Sequence, residues 1–305
     1  MSRDPSRELD HFRDALYARA ERDANERAQE QSPAPNAGRP FERERALATR
    51  PALSLPDPRC EDSRSVLYDR ERGYHIRPSE LRTLIDLHKF RVVGTEELLQ
   101  HAYAGHRDRM QKDLHNLLRQ GLIRKGIFEG PESTPRELLT PTKTGYRLLR
   151  ANRVVPRDQA IYRGFVKPRE ANHDADLYVL YQKEAARLRA EGGLPVRVIL
   201  EVELIRNINH DFAKYGLEAR KEIAERHGLR VVRGKIPVPD MRIEYERPDG
   251  ALERIDLELV TEHYRGRMVA DKVRAGFSLY TPRGEAGRLR RVLDQRELIA
   301  EILSL

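Results

Sequence analysis

The stretch Pro239–Lys272, PDMRIEYERPDGALERIDLELVTEHYRGRMVADK, limits the fold more than any other part of the chain. Two alternating runs, Met241–Glu246 and Leu252–Leu259, flank Pro248-Asp249-Gly250, a three-residue hairpin loop in which glycine supplies a positive φ. That loop sets a register in which Arg242 stands opposite Asp256 and Glu244 opposite Arg254, opposite-charge pairs that stabilise it. That register carries Met241, Ile243 and Tyr245 to the face shared by Ile255, Leu257 and Leu259, an apolar side suited to a core. It also sets Asp240 against Glu258. Like charges opposed on a sheet are destabilising, so the pair either shares a proton or holds a cation. The other reading is a solvated hairpin with surface ion pairs.

Upstream, residues 77–152 have the pattern of a winged helix-turn-helix. Pro78 and Ser79 open a helix with Leu81, Leu84, Ile85 and Leu87 on its apolar side, and Arg91–Val93 follows as a short strand. Thr95 is expected to cap a second helix that runs to Tyr103. A third helix is predicted over residues 106–120. It turns Met110, Leu114, Leu117 and Leu118 inward and Arg107, Gln111, Lys112, His115 and Arg119 outward. Residues 122–128 and 137–140 read as strands around a polar wing. Between Arg107 and Lys125 stand six Lys or Arg against two Asp, so this helix and the wing base are locally positive. The expected DNA contacts are Arg107, Arg109, Gln111, Lys112, His115 and Arg119, joined by Arg124, Lys125 and Lys143. A protein-docking winged helix is the alternative.

The third unit, residues 169–305, begins with a helix from Ala171 to about Glu191 that carries His173. A strand over residues 196–204 follows, with Val198, Leu200, Val202 and Leu204 on one side. Asp211–His227 reads as a helix and Leu229–Val232 as another strand. The acidic hairpin comes next, then a helix that Thr261 can cap and that carries Lys272, then a last strand at Phe277–Tyr280. Glu203 is a candidate third carboxylate from the neighbouring strand. His173 is a weaker candidate, since a structural histidine is the commoner reading.

Pro-Asp, a strand, and an acidic residue on the next strand resemble the PD-(D/E)xK nuclease superfamily. The resemblance implies that Asp240 and Glu258 bind a divalent metal, Mg²⁺ or Mn²⁺, and that a Lys helps activate water. The usual Lys position, two residues after the second acid, is Val260 here, so the Lys role passes to Lys272. Several features together are similar to the plasmid replication-relaxation family: the winged pattern, the helix opening with His173-Asp174-Ala175-Asp176-Leu177, Pro239-Asp240 before the hairpin, and Leu257-Glu258-Leu259-Val260-Thr261-Glu262 leading to a downstream Lys. Membership would imply DNA metabolism of plasmids or integrative elements, in replication, relaxation or mobilisation. That family usually has an acidic residue where Val260 stands.

The fold class expected is α+β: a winged helix-turn-helix domain, then an α/β PD-(D/E)xK nuclease-like domain, behind a helical and disordered extension. That extension, residues 1–60, is polar, and its six prolines between Pro33 and Pro58 suit a linker. Its segment Arg7–Gln31, with Leu9, Phe12, Leu16 and Tyr17 as an apolar stripe, is a candidate docking helix for a replication or mobilisation protein. The formal charge of +8, with 47 of 57 basic residues Arg, favours a polyanion such as double-stranded DNA. One cysteine, Cys60, excludes a disulfide framework, and the lack of a long apolar run predicts a soluble cytoplasmic protein. No His-x-His occurs, which argues against a two-histidine relaxase, and no phosphate-binding glycine loop is present. Two functions follow: a metal-dependent DNA nuclease or nickase, or a non-catalytic DNA-binding accessory factor or regulator with a degenerate nuclease fold.

Overall fold

The computed structural model describes residues 63–129, 135–164, 168–261, 266–281, 286–295 and 302–304. The N-terminal extension, with Cys60 and the candidate docking helix, lies outside these residues. So do the tip of the expected wing, residues 130–134, and residues 262–265 ahead of the Lys272 helix. The chain is a mixed α+β protein, and among the described residues no helix is long and apolar enough to cross a membrane.

The first layer opens with a hairpin that the sequence pattern had not indicated, β1 (Ser65–Asp69) with β2 (Arg72–Ile76). It is followed by α1 (Pro78–Phe90), β3 (Val93–Gly94), α2 (Thr95–His101) and α3 (Arg107–Arg119). Strands β4 (Ile123–Glu129) and β5 (Pro135–Pro141) come next and form an antiparallel sheet with β3 in the order β3-β5-β4. Pro78 at the first helical position and Glu80, which accepts the Arg77 N–H at 2.8 Å, start α1. Thr95 is not the cap of α2. Gly94 holds that place, and the Thr95 hydroxyl donates to Glu137 across the sheet at 2.9 Å. Helix α4 (Lys143–Ala151) is capped by Thr142, whose Oγ1 accepts from the Gly145 N–H at 3.0 Å.

The inner face of α3 carries more than the expected leucines. Asp113 and Asn116 are also buried there. Asp113 accepts from Ser79 Oγ (2.5 Å), Tyr103 Oη (3.1 Å) and Arg77 (3.2 Å), while Asn116 donates to Glu80 (3.0 Å) and to the His75 carbonyl (3.1 Å). A buried carboxylate keeps its charge only when such partners replace water, so this network determines how α3 sits on α1.

The second layer is a five-stranded sheet in the order β10-β9-β8-β7-β6, built from β6 (Leu194–Leu200), β7 (Met241–Glu246), β8 (Leu252–Leu259), β9 (Ser278–Thr281) and β10 (Ile302–Ser304). Strands β6, β7 and β8 form an antiparallel meander, and β9 and β10 run parallel to β8. The hairpin register is the one the charge pairs indicated: Arg242 faces Asp256, Glu244 faces Arg254, and Gly250 takes a φ of +82°. One face packs on α5 (Pro168–Ala190) in a core that includes Tyr178, Leu180, Met241, Ile243, Leu257 and Leu259, continuous with the core under α1 and α3. Just after β8, Val260 joins a second cluster with Val269, Leu279, Leu289 and Leu293, contributed in part by α8 (Gly266–Ala275) and α9 (Ala286–Asp294). Gln159 bonds Val198 at both its N–H (2.9 Å) and its carbonyl (2.8 Å), covering part of the open edge of β6.

Three expected elements differ. The strand predicted over residues 196–204 ends at Leu200, where the Glu201 N–H donates to the Asp240 carbonyl (2.9 Å) and a helix, α6 (Glu201–Tyr215), begins. The acidic residues Glu201 and Glu203 suit a helix N-terminus, and Leu204 and Ile208 continue at helical spacing. The helix predicted over Asp211–His227 breaks at Gly216, φ +79°, into α6, a 3₁₀ turn Leu217–Ala219 and α7 (Arg220–Arg226). The strand at Leu229–Val232 is absent, leaving a single bridge between Val232 and Lys235. Residues 204–231 form a unit of their own, in which Asp211 bonds His227 (3.1 Å) and Arg226 (3.3 Å).

Replacing Asp113 by Ala should cost about 3 kcal/mol or more, because it takes the carboxylate from Arg77 and Ser79 and leaves Tyr103 only its bond with Thr83. Urea unfolding of the two proteins checks it; an unchanged midpoint would show that the network contributes little.

Candidate functional site

The β7–β8 register brings Asp240, the residue just before β7, against Glu258 on β8. The Asp240 N–H reaches Glu258 Oε2 (3.3 Å) and the Leu259 N–H donates to Asp240 Oδ2 (2.8 Å). Lys272 comes from the second turn of α8. Its ammonium lies 2.7 Å from Glu258 Oε1 and 2.9 Å from Oε2, and it donates to the Val238 carbonyl at 2.7 Å. All three expected residues therefore meet. They do so inside the protein, where Asp240 is 5 %, Glu258 0 % and Lys272 8 % exposed. A solvated surface hairpin does not describe this site.

Lys272 also explains the apolar residue at 260. Val260 is packed among Val269, Leu279, Leu289 and Leu293, where an ammonium would find no acceptor. The amine reaches Glu258 from the helix that covers this part of the sheet.

Burial and the neighbouring charge of Asp240 push the Glu258 carboxyl up to about 8 against the pull of Lys272. Burial also works against the charge on Asp240, but His173, Lys272 and the Leu259 N–H outweigh it and hold the group below the ordinary carboxylate range. His173, on α5, has Nε2 3.6 Å from Asp240 Oδ1. Burial opposes its protonation, yet Asp240, Asp174 and Glu201 together raise it to about 9. Lys272 is likewise raised, with Glu258, Asp240 and Glu201 overcoming burial. His173 and Lys272 thus stand among four carboxyl groups, Asp174, Glu201, Asp240 and Glu258. Glu201 was not singled out from the sequence, because the strand expected there hid its place at the start of α6. Glu203 lies on that helix, not on a strand, and its carboxylate is bonded to Arg197 at 2.6 Å.

Asp240 and Glu258 present hard oxygen donors, a ligand chemistry that fits Mg²⁺ or Mn²⁺. Magnesium commonly takes one or two protein carboxylates and keeps several waters. Among the described residues no group of three or more His, Cys, Asp and Glu is disposed to hold a metal ion. Water and a substrate oxygen would complete the shell.

A second set of expected residues lies on the first layer. Helix α3 buries Met110, Leu114 and Leu117 and exposes Arg107, Gln111, Lys112, His115 and Arg119, while Leu118 and Arg109 are half-buried. Arg124 and Lys125 on β4 and Lys143 on α4 are exposed. Arg107 is held by both oxygens of Glu96 (2.9 Å each) and Lys125 by Glu137 (2.8 Å). Both pairs are solvent-exposed and contribute little to stability.

The two sets are tied through the first turns of α5. Asp174 pairs with Arg91 (3.3 Å) and Asp176 with Arg136 (2.9 Å), next to the His173 that faces Asp240. Comparison of the chain with protein-family models, curated proteins and solved structures finds no match.

His173 is raised from 6.5 to about 9, so its contribution to stability is complete below pH 6.5 and is lost as pH rises through about 9. The urea midpoint should fall over that window. His173→Gln should remove most of this fall while keeping any part due to Glu258. Parallel profiles for both proteins would count against the His173–Asp240 contact.

Proposed function

We propose that this protein binds double-stranded DNA and carries a metal-dependent phosphodiester-cleaving site, in the manner of a plasmid or integrative-element protein of replication-relaxation type. In this reading residues 77–152 are a winged helix-turn-helix, α3 is its recognition helix, and β4 and β5 form its wing. The second layer is a PD-(D/E)xK-like core, an assignment supported by its order of helix, antiparallel three-stranded meander, helix and parallel strand.

The observation that carries the catalytic part is the Lys272 ammonium on Glu258 beside Asp240. Burying several charged groups costs several kcal/mol per ion, an expense that a purely structural hairpin would avoid with apolar residues. Asp240 and Glu258 would hold Mg²⁺ or Mn²⁺, which in such sites polarises the scissile phosphate and lowers the pKa of a bound water. Lys272 is close enough to Glu258 to turn its charge toward an oxyanion forming at the same carboxylates. His173 holds Asp240 ionised and oriented.

A second reading has its own observation. Both oxygens of Glu258 already have the Lys272 cation, and Val260 supplies no further donor. A protein whose cluster is satisfied in this way serves as a DNA-binding accessory factor or regulator, with the nuclease-like layer as a binding surface. The exposed basic face of α3 is common to both readings.

Metal binding and nicking decide between them. With the catalytic site, Mg²⁺ or Mn²⁺ raises the thermal midpoint of the wild type but not of Asp240→Asn. The wild type nicks supercoiled DNA, Glu258→Gln does not, and Lys272→Ala is slower while still binding metal. No midpoint shift and no nicking of any DNA topology, with DNA binding intact, leaves the accessory role. For DNA binding, Lys112→Ala with Arg119→Ala should weaken binding and reduce the salt dependence by about 0.9 log-log units for each phosphate that is no longer neutralised. An unchanged slope would refute docking through α3.

A further inference from the structure

Helix α3 has two flanks, and their electrostatics differ. The flank toward β4 and β5 borders a groove of about 640 Å³ floored by Met110, Leu114 and Leu118. Three cations line it, Arg107, Lys125 and Arg136, and three acids answer them, Glu96, Glu97 and Glu137. The acids are paired with those cations at 2.8–2.9 Å. A phosphate entering there meets a neutral, already satisfied surface with three carboxylates in its wall.

The opposite flank, toward the start of α1, is different. Two adjoining recesses of about 620 and 450 Å³ share Arg77, Asp108 and Lys112. Together they bring Arg64, Arg77, Arg109 and Lys112 into one strip with Asp108 as the acid among the lining residues, beside Arg107, which is already paired with Glu96. Two of these cations are anchored from beneath by buried carboxylates: Arg77 reaches Asp113 at 3.2 Å and Arg64 reaches Glu80 at 3.6 Å. Setting both against those acids still leaves the strip positive. The anchoring restricts the side chains beforehand, which lowers the entropic cost of holding a ligand. Arg64 and Arg77 lie outside the helical pattern of α3, so spacing along that helix does not reveal them.

We propose that the Arg64–Arg77–Lys112 flank is the phosphate-backbone clamp for duplex DNA, and that the backbone runs over the start of α1 instead of through the groove between α3 and the β4–β5 strands. The clamp rests on the duplex-DNA reading above. Phosphate contacts of this kind position a protein without reading sequence, so the clamp sets orientation and affinity and leaves base readout to Gln111 and His115 at its edge.

The test is fluorescence anisotropy of a labelled duplex titrated with the full chain at several salt concentrations. Arg64→Gln with Lys112→Gln should lower the log-log salt slope by roughly two units, about 0.9 for each phosphate released. Glu97→Gln with Glu137→Gln should change affinity less than about threefold, because their partners Arg136 and Lys125 line the groove and neither recess of the clamp. Thermal midpoints confirm folding, and if the double variant is unfolded, Lys112→Gln alone must lose about one unit. A slope equal to the wild type's in the clamp variants overturns the clamp while duplex binding stands. So does a tenfold gain from the Glu97/Glu137 variant, which would locate the backbone in the groove beside β4 and β5. If the wild type binds no duplex at any salt, the DNA-binding reading falls and the clamp falls with it.

Discussion

The second layer depends on a buried ion pair, the Lys272 ammonium against the Glu258 carboxylate. Neither group survives burial alone: an unpaired ion in such surroundings loses several kcal/mol of hydration. Together with Asp240 and His173 they connect α5, β8 and α8 with the residues just before β7. This arrangement follows from the sheet order. Strand β8 lies between β7 and β9, so its Glu258 meets both the segment preceding β7 and the helix that precedes β9. The connection from β8 through α8 to a parallel β9 is what delivers a lysine from a helix to a strand.

Charge also organises the first layer, with a different result. Asp113 and Glu80 are buried beneath α3 and draw Arg77 and Arg64 to the base of that helix. Glu96, Glu97 and Glu137 on the other side draw Arg107, Arg136 and Lys125. The helix surface that looks uniformly basic in a count of residues is thus divided into a balanced flank and a positive one. Net charge alone describes attraction to a polyanion and says nothing of where the polyanion lies.

The hairpin was legible in the chain because its information is local. Gly250 in the loop and the pairs Arg242–Asp256 and Glu244–Arg254 are separated by few residues, and period-two alternation leaves one register that buries Met241, Ile243 and Leu257. Helix α3 was legible for the same reason, with Met110, Leu114 and Leu117 at helical spacing. The boundary at Leu200 was not. Val198, Leu200, Val202 and Leu204 alternate without a break, and the strand ends only because the Asp240 carbonyl takes the Glu201 N–H, a partner 39 positions further along the chain. Glu203 was consequently assigned to a strand and Glu201 was passed over.

What the sequence by itself determined is the opposition of Asp240 and Glu258, since a short loop and cross-strand charges define a register without help from elsewhere. It also determined which side of α3 is apolar. Only the tertiary structure decided that the two carboxylates are buried, that His173 joins the expected Lys272 as a counter-charge, and that Arg64 and Arg77 flank α3. The physical reason is range: hydrogen-bond ladders and side-chain periodicity act over a few residues, whereas desolvation and ion pairing depend on segments brought together from distant parts of the chain. For a buried charge, the partner is chosen by the fold and not by the neighbouring sequence.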